Sequence, residues 1–386
     1  MSIIEKIKSE KYVGIVIHDK AKLFSNGITQ NAYFIYQCLE NIGFKCRFLT
    51  PDPKPSKFEY KDIPVYQISK NPLDFDPNEY HTIITVTRGI SREEYVLLKE
   101  AKVHVVAFVC GNTLMHNLED FVRGLATPGV TTYIGKDSQC DEIWVIPSYK
   151  HSLEYLSLIR GKPSFIIPHL WSPQLLIENM NRLLKRPEID LFFDYTKHTS
   201  EKIDILIMEP NVALFKTSWI PIVAAEKLHT INKDIIDNVY AFNFPTHNNS
   251  YNMTDNLEIS KCKKLRHFKR LPVTDVFVHF NQKNTFPVIV SHHMLNGLNY
   301  LYYEALYYGW PLVHNSVELE DCGYYYPEND LSACADAIMK AYTIHNKTLA
   351  SYIDKAHKYL KRVDPLDKDM GVIWDGFIKA GISKSL

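Results

Sequence analysis

Tyr12 to Ile17 (YVGIVI) is an apolar run of strand length, and past a polar loop the stretch Ile28 to Leu39 returns to apolar residues at the spacing of one helix face. Gly43 reads as a helix stop and Lys45 to Leu49 (KCRFL) as a second strand, so the chain opens on a strand–helix–strand unit. The alternation continues. Strands are predicted at Thr82 to Val86, Val103 to Val109, Glu142 to Ile146 and Ser164 to Ile167, and helices at Arg92 to Glu100, Leu114 to Arg123 and Tyr149 to Leu158. Near-continuous Val and Ile runs of this kind suit strands covered on both faces, as in a parallel sheet flanked by helices.

Asn179 to Glu201 is polar, rich in Asn, Lys and Arg, and holds no run that would make a buried strand; it reads as a boundary. A second series follows, with strands at Ile203 to Met208, Asp237 to Phe242, Lys264 to Phe268, Phe286 to Ser291 and Pro311 to His314, and helices at Ile220 to Leu228 and Tyr300 to Tyr308. Leu331 to Arg362 and Met370 to Ala380 read as helices. The expected fold class is therefore α/β, with two Rossmann-like, doubly wound domains of similar size, which a length of 386 residues accommodates.

Composition narrows the function rather than the fold. Hydrophobic residues at 46% and charged residues at 23% describe a globular chain. Lys plus Arg and Asp plus Glu are equal at 44 each, so no nucleic-acid partner is expected and a charged ligand must be met locally. The seven cysteines are scattered without a CxxC pair and read as reduced, mostly buried thiols. Met1 to Lys11 lack the apolar core of a signal peptide, and Val103 to Val109 falls far short of the roughly 20 residues that span a bilayer. A cytoplasmic protein without a transmembrane segment is expected.

The chain has no GxGxxG after a strand, no GxxxxGK[ST], no GxSxG and no HExxH, which leaves dehydrogenase, P-loop, serine-hydrolase and zincin chemistry unsupported. Asp74-Phe75-Asp76 and Asp367-Lys368-Asp369 have the form of a metal-binding DxD, but neither follows a buried strand, so no metal site is expected. The informative segment is Asn296 to Asn315, NGLNYLYYEALYYGWPLVHN. Just after a strand, Asn296 and Gly297 form a tight turn into a helix. The first N–H groups of that helix, at Gly297, Leu298 and Asn299, and its positive dipole end favour a phosphate. Glu304 lies on the face shared by positions 300, 304 and 308, looking toward the helix start. Gly309 ends the helix and Pro311 opens the next strand.

This segment resembles the donor-binding domain of GT-B glycosyltransferases, above all the retaining family with the signature E-G-F-G-x-x-x-x-E-A-x-x-x-G-x-P-V-V. Asn296, Glu304, Ala305, Gly309, Pro311 and Val313 keep its spacing. The resemblance implies that Glu304 accepts hydrogen bonds from the ribose of a nucleotide. Asn296 stands where the family has a Glu that contacts the transferred sugar, so Asn296 inherits that candidate role. In Glu209-Pro210-Asn211-Val212-Ala213-Leu214-Phe215-Lys216, Lys216 matches the family's diphosphate-neutralising Lys, and Asn211 stands where its Arg would be.

In the first half, Ser25-Asn26-Gly27 occupies the glycine turn at which such enzymes bring backbone close to donor phosphate and acceptor, which makes Gly27 a candidate contact. Asp141 to Ser148 and Ile166 to His169 resemble the family's aDxVxxxS and vIPNGvD segments. Asn112 ends a strand where relatives present a histidine; it either orients sugar hydroxyls or caps a turn. His292 and His293 either touch the donor sugar or its phosphate or cap a strand. Tyr324 to Tyr326 read as core and rim packing rather than a stacking platform. The strings SNGITQNA, FVCGNT, IPHLWSP, EPNVALFKT, NGLNYLYYEAL and PLVHNS are similar to a glycosyltransferase-like branch catalogued as a domain of unknown function, from about Val13 to Arg362.

The resemblance implies two domains facing a cleft. Residues 1–180 form an acceptor-side domain to which a last helix, 366–386, crosses back, and residues 195–365 form the domain that binds the nucleotide-sugar donor. The expected function is transfer of a sugar from a nucleoside diphosphate sugar to a glycan, sugar or lipid-linked acceptor, by a retaining route without metal or other cofactor. Were the reaction inverting, His169 would be the first-domain candidate for the base. The alternatives are a catalytically silent nucleotide-sugar or glycan binder, suggested by the two Asn replacements, and a sugar-nucleotide epimerase.

Overall fold

The computed structural model describes residues 3–18, 23, 27–52, 57–58, 60–71, 73–86, 88–123, 139–184, 191–244 and 253–385. The chain divides into two compact units, Met1–Leu175 with Lys361–Leu386, and Leu176–Leu360.

In the first unit, α1 (Ile3–Glu10) leads into β1 (Tyr12–Val16), α2 (Gly27–Asn41) and β2 (Lys45–Thr50). After β3 (Val65–Gln67) come β4 (Tyr80–Thr85), α3 (Arg92–Glu100), β5 (His104–Val109), α4 (Thr113–Arg123), β6 (Glu142–Val145), α5 (Leu153–Arg160) and β7 (Ser164–Ile166). The described strands form one sheet in the order β3-β2-β1-β4-β5-β6-β7, and every pairing is parallel. The predicted strands are all present. Their apolar runs are buried because helices cover the sheet, as the burial of every β6 residue illustrates. The start of α3 is written in the sequence: Ser91 accepts from the Glu94 N–H and the Glu94 carboxylate accepts from the Ser91 N–H, a reciprocal cap.

The last helix, α12 (Lys368–Ser385), packs on this unit. Trp374 is fully buried and meets the Trp144 ring edge-on at 5.9 Å, while Lys384 reaches Glu142 at 2.5 Å and Lys8 reaches Asp375 at 2.7 Å. Gly381 permits the close approach: a Cβ there would meet the His104 ring at 2.5 Å. One carboxylate of each DxD string caps a helical turn. Asp76 accepts from the Asn78 N–H, and Asp367 accepts from the Asp369 and Met370 N–H groups at the start of α12.

The division between the units falls within α6 (Gln174–Leu184). The second unit then runs β8 (Ile203–Ile207), α7 (Trp219–Ile231), β9 (Ile236–Phe242), α8 (Glu258–Lys261), β10 (Leu265–Phe268), α9 (Val273–Phe280), β11 (Phe286–Val290), α10 (Tyr300–Tyr307), β12 (Leu312–His314), β13 (Tyr324–Tyr325) and α11 (Leu331–Lys361). Its described strands are again parallel throughout, in the order β10-β9-β8-β11-β12-β13. The core is aromatic. Trp310 is fully buried, stacks on Phe277 at 4.3 Å and donates from its indole to the Leu191 carbonyl. Tyr324 and Tyr326 are buried in the same unit, hydrogen-bonded to His345 and His292 respectively. Among the described residues no helix is long and apolar enough to cross a membrane.

Candidate functional site

In an open parallel sheet, ligands bind beyond the carboxyl ends of the strands where the strand order reverses. In the second unit that point lies between β8 and β11. Two residues past β8, Glu209 is completely buried. Just past β11, His293 is also buried, and its Nε2 lies 2.7 Å from Glu209 Oε2. Burial alone would push the Glu209 carboxyl up, but the His293 ring, the Ser291 hydroxyl and the His292 N–H outweigh it and hold the group below the usual carboxylate range. Glu209 is therefore a buried anion.

The other side of the His293 ring engages the turn that follows. Its Nδ1 lies 3.0 Å from the Asn296 carbonyl oxygen and 2.9 Å from the Asn296 amide nitrogen. The same Asn296 amide donates to the Leu298 carbonyl, and the Asn299 amide lies 3.3 Å from His293 Nε2. Asn315, beyond β12, fixes the His293 backbone from both sides, accepting from its N–H and donating to its carbonyl. His292, with Nδ1 2.9 Å from the Tyr326 hydroxyl, is lowered to about 4 chiefly by burial and is neutral.

Asn299 caps α10 by accepting from the Leu301 N–H. Among the described residues, the N–H groups of Gly297, Leu298 and Asn299 meet no acceptor. Three consecutive donors thus stand at the positive end of a helix. A Cβ at Gly297 would meet the end of the Glu318 side chain, which would have to swing aside, and the Gly297 carbonyl accepts from the Ser316 hydroxyl at 2.8 Å. Farther along α10, Leu301, Tyr302, Ala305 and Leu306 are buried, and Tyr300, Glu304 and Tyr307 share the less buried face. The Glu304 carboxylate is half-buried, meets no hydrogen-bond partner among the described residues, and is pushed up to about 7 by burial.

The loop after β8 lies alongside: the Met294 N–H donates to the Phe215 carbonyl at 3.1 Å. Asn211 sits in this loop at φ +51°, a conformation asparagine tolerates. Its amide donates to the Glu209 and Asn243 carbonyls and accepts from the Ser218 N–H and hydroxyl at the start of α7. Asn211 therefore shapes the loop and offers no spare group to a ligand. Lys216, half-buried, closes the same loop through a backbone bridge with Ala213.

Of the sequence candidates, Asn211, Lys216, His293, Asn296, Gly297, Leu298, Asn299 and Glu304 thus gather around β8, β11 and α10. Gly27, Asn112 and His169 belong to the carboxyl edge of the other sheet. Gly27 is the first residue of α2, and Ser25 and Asn26 lie outside the described residues. Asn112 is buried after β5 and caps α4 by accepting from the Met115 N–H. His169, after β7, is buried and driven down to about 3, so its ring is neutral. Sequence reasoning passed over Glu209 as a site residue. It also passed over a cluster at the reversal point of the first sheet, where Asp52 takes Arg88 at 2.8 Å and lies 3.6 Å from His18. Glu209 meets His293 across the ends of β8 and β11, and His18, Asp52 and Arg88 follow β1, β2 and β4, so no local spacing announces either cluster.

Residues 13–377 match the model of the family described as "Protein of unknown function (DUF2827)". The chain belongs to this family. No curated protein matches the sequence. Among solved structures, this DUF2827 chain is similar to Anabaena HepE in complex with UDP and glucose, at TM-score 0.54 and 12% identity, over 97% of this chain and 98% of that one. It is also similar to α,α-trehalose 6-phosphate synthase from Burkholderia multivorans, at TM-score 0.51 and 10% identity, over 97% and 98%. The pneumococcal O-GlcNAc transferase GtfA, in complex with UDP and GlcNAc, aligns at TM-score 0.48 and 12% identity over 81% of this chain. The chain spans 59% of GtfA's length. The similarity to HepE and the synthase over nearly the whole of each chain makes the fold GT-B: two parallel-stranded, Rossmann-like α/β units.

Proposed function

We propose that this DUF2827 chain is a glycosyltransferase that moves a sugar from a nucleoside diphosphate sugar onto a glycan, sugar or lipid-linked acceptor. The observation that carries the reading is the turn Gly297–Asn299, whose three N–H groups meet no acceptor among the described residues, placed at the reversal point of the second sheet. Beside it stand Lys216, on the adjoining loop, and the unpartnered carboxylate of Glu304 on α10. N–H groups and an ammonium suit a diphosphate, and a carboxylate suits the vicinal hydroxyls of a ribose. HepE, solved in complex with UDP and glucose, agrees with this chemistry.

In the retaining route we propose, the bond from the anomeric carbon to the donor phosphate oxygen breaks and its electron pair leaves with the diphosphate. The acceptor oxygen attacks from the same face and its proton passes to that diphosphate. No protein nucleophile takes part, and the developing charge on the leaving group is met by the N–H groups and Lys216.

A thermal-shift screen with UDP, GDP, ADP and their sugars tests the reading. A ligand at a hundred times its dissociation constant stabilises the fold by about 2.7 kcal/mol. No shift with any of them would sink it. Because one carboxylate of each Asp-x-Asp string is engaged in capping a helical turn, calorimetry with EDTA is expected to give the same nucleotide affinity as without it. A loss on chelation would count against the metal-free route. One observation favours a second reading, a nucleotide-sugar binder without turnover: the amides of Asn211 and Asn296 are both engaged in holding backbone. Nucleotide binding with no product in a transfer or hydrolysis assay would identify it.

A further inference from the structure

We infer that Glu209 and His293 form a positioning pair, a buried anion and imidazole that hold the Asn296–Asn299 turn in shape and set the imidazole end of the pair toward it, tuned to the donor's diphosphate. This rests on the reading that the turn takes a nucleoside diphosphate sugar, and adds to it two residues that act without touching the ligand.

The proton positions follow from the contacts. An unprotonated ring nitrogen 2.7 Å from a carboxylate oxygen would oppose two lone pairs, so Nε2 carries a hydrogen and donates to Glu209. Nδ1 is then left with two partners, both supplied by Asn296. In the neutral ring it accepts from the Asn296 amide, and in the doubly protonated ring it donates to the Asn296 carbonyl. Either state is satisfied by the same residue, so the ring is bonded to the turn in both.

The charged state is the one an anion would favour. A diphosphate on the Gly297, Leu298 and Asn299 N–H groups would have an imidazolium behind it, itself balanced by Glu209 in a site of low dielectric. The Glu318 carboxylate lies on the Gly297 side of the turn, and the titratable groups packed around the ring itself carry no charge. His292 beside it and His314 at the end of β12 are each lowered to about 4 chiefly by burial, and the Tyr302 hydroxyl of α10 and the Tyr326 hydroxyl are pushed up by it. All four are neutral.

The test uses Glu209→Gln, which keeps the shape and an acceptor for Nε2–H but removes the charge, and His293→Gln, which removes the ring. Each is titrated calorimetrically with the nucleotide found in the screen (UDP, GDP or ADP) and with its parent nucleoside. Nucleotide affinity is expected to fall about tenfold and nucleoside affinity to stay at the wild-type value, because only the diphosphate feels the charge. In a transfer assay the loss should enter kcat as well as KM for the donor, because charge develops on the diphosphate as it leaves. Equal nucleotide affinity in variant and wild type overturns the inference while leaving the donor site standing. A parallel loss of nucleotide and nucleoside also overturns it, since the pair would then be merely structural. Wild-type protein that binds no nucleotide overturns both readings. Should the Gln variants fail to fold, Glu209→Asp, which withdraws the charge by one methylene, must show an intermediate loss confined to the nucleotide, and wild-type affinity there would refute the inference.

Discussion

Glu209→Ala is expected to destabilise the second unit by about 3 to 5 kcal/mol, because it removes the carboxylate shared by the His293 ring, the Ser291 hydroxyl and the His292 N–H. The truncation leaves the Nε2–H of His293 and the His292 N–H facing a void in place of their acceptor, and the Ser291 hydroxyl with the Tyr302 hydroxyl alone. None can turn to solvent, because all three residues are buried. Each unsatisfied donor adds its own desolvation penalty, on the order of 1 to 3 kcal/mol. A chain of two units does not unfold in one step, so a single melting temperature would blur the effect. Hydrogen exchange resolved to the β8 and β11 segments reports it directly: their protection should fall, while that of β1 and β4 in the other unit stays as in wild type. A loss under about 1 kcal/mol in β8 and β11 would mean that the pair holds little of this unit together.

Much of the architecture was legible because parallel strands covered on both faces are written as uninterrupted apolar runs. HVVAFV, EIWV, IDILI and FPVIV need no partner to be recognised, and each became a largely or wholly buried strand. What escaped reading was short or ambiguous. β3 has three residues, only one of them buried, and β13 has two. α9, VTDVFVHF, carries β-branched and aromatic residues whose spacing fits a strand as well as a helix. α6 begins just ahead of the stretch that reads as an interdomain boundary.

The site divides the same way. The turn and the placement of Glu304 are local to one strand–helix junction, so spacing located them, whereas the cap at Asn299 emerged only in the structure. Glu209 and His293 are 84 residues apart in the chain and meet only because β8 and β11 are neighbours in the sheet. Spacing also suggested that His293 either faces the donor or caps a strand, whereas its two ring nitrogens are turned to Glu209 and Asn296. The Asn211 replacement is explained by geometry too. At φ +51° with four hydrogen bonds on its amide, the position selects a residue that can adopt the left-handed conformation and bond backbone on both sides.

Glu304→Ala is expected to weaken nucleotide binding by about 1.5 to 3 kcal/mol, or roughly ten- to a hundredfold, with the fold kept. The residue lies on the less buried face of α10, and its carboxylate has no protein partner among the described residues to lose. Its pH behaviour gives a sharper signature. Burial raises the group from the model-peptide value of 4.5 to about 7, so near neutrality much of it carries a proton in the free protein. Ribose hydroxyls donate to the ionised form, so binding must release that proton, and affinity is expected to rise with pH from about 6 to about 8 in the wild type. The same raised value acts on stability with the opposite sign. The unfolded chain ionises this carboxyl from about 4.5 upward while the folded one resists, so the free protein loses stability as pH climbs from about 4.5 to about 7, and the penalty stays in full above that. Glu304→Gln should remove both slopes together, binding weakly but uniformly across this range and unfolding with less pH dependence than the wild type. Calorimetric titrations at the two ends of the range, paired with thermal melts without ligand, read both effects. A Glu304→Gln protein that keeps the rise in affinity would place the titrating group elsewhere and remove Glu304 from the ribose.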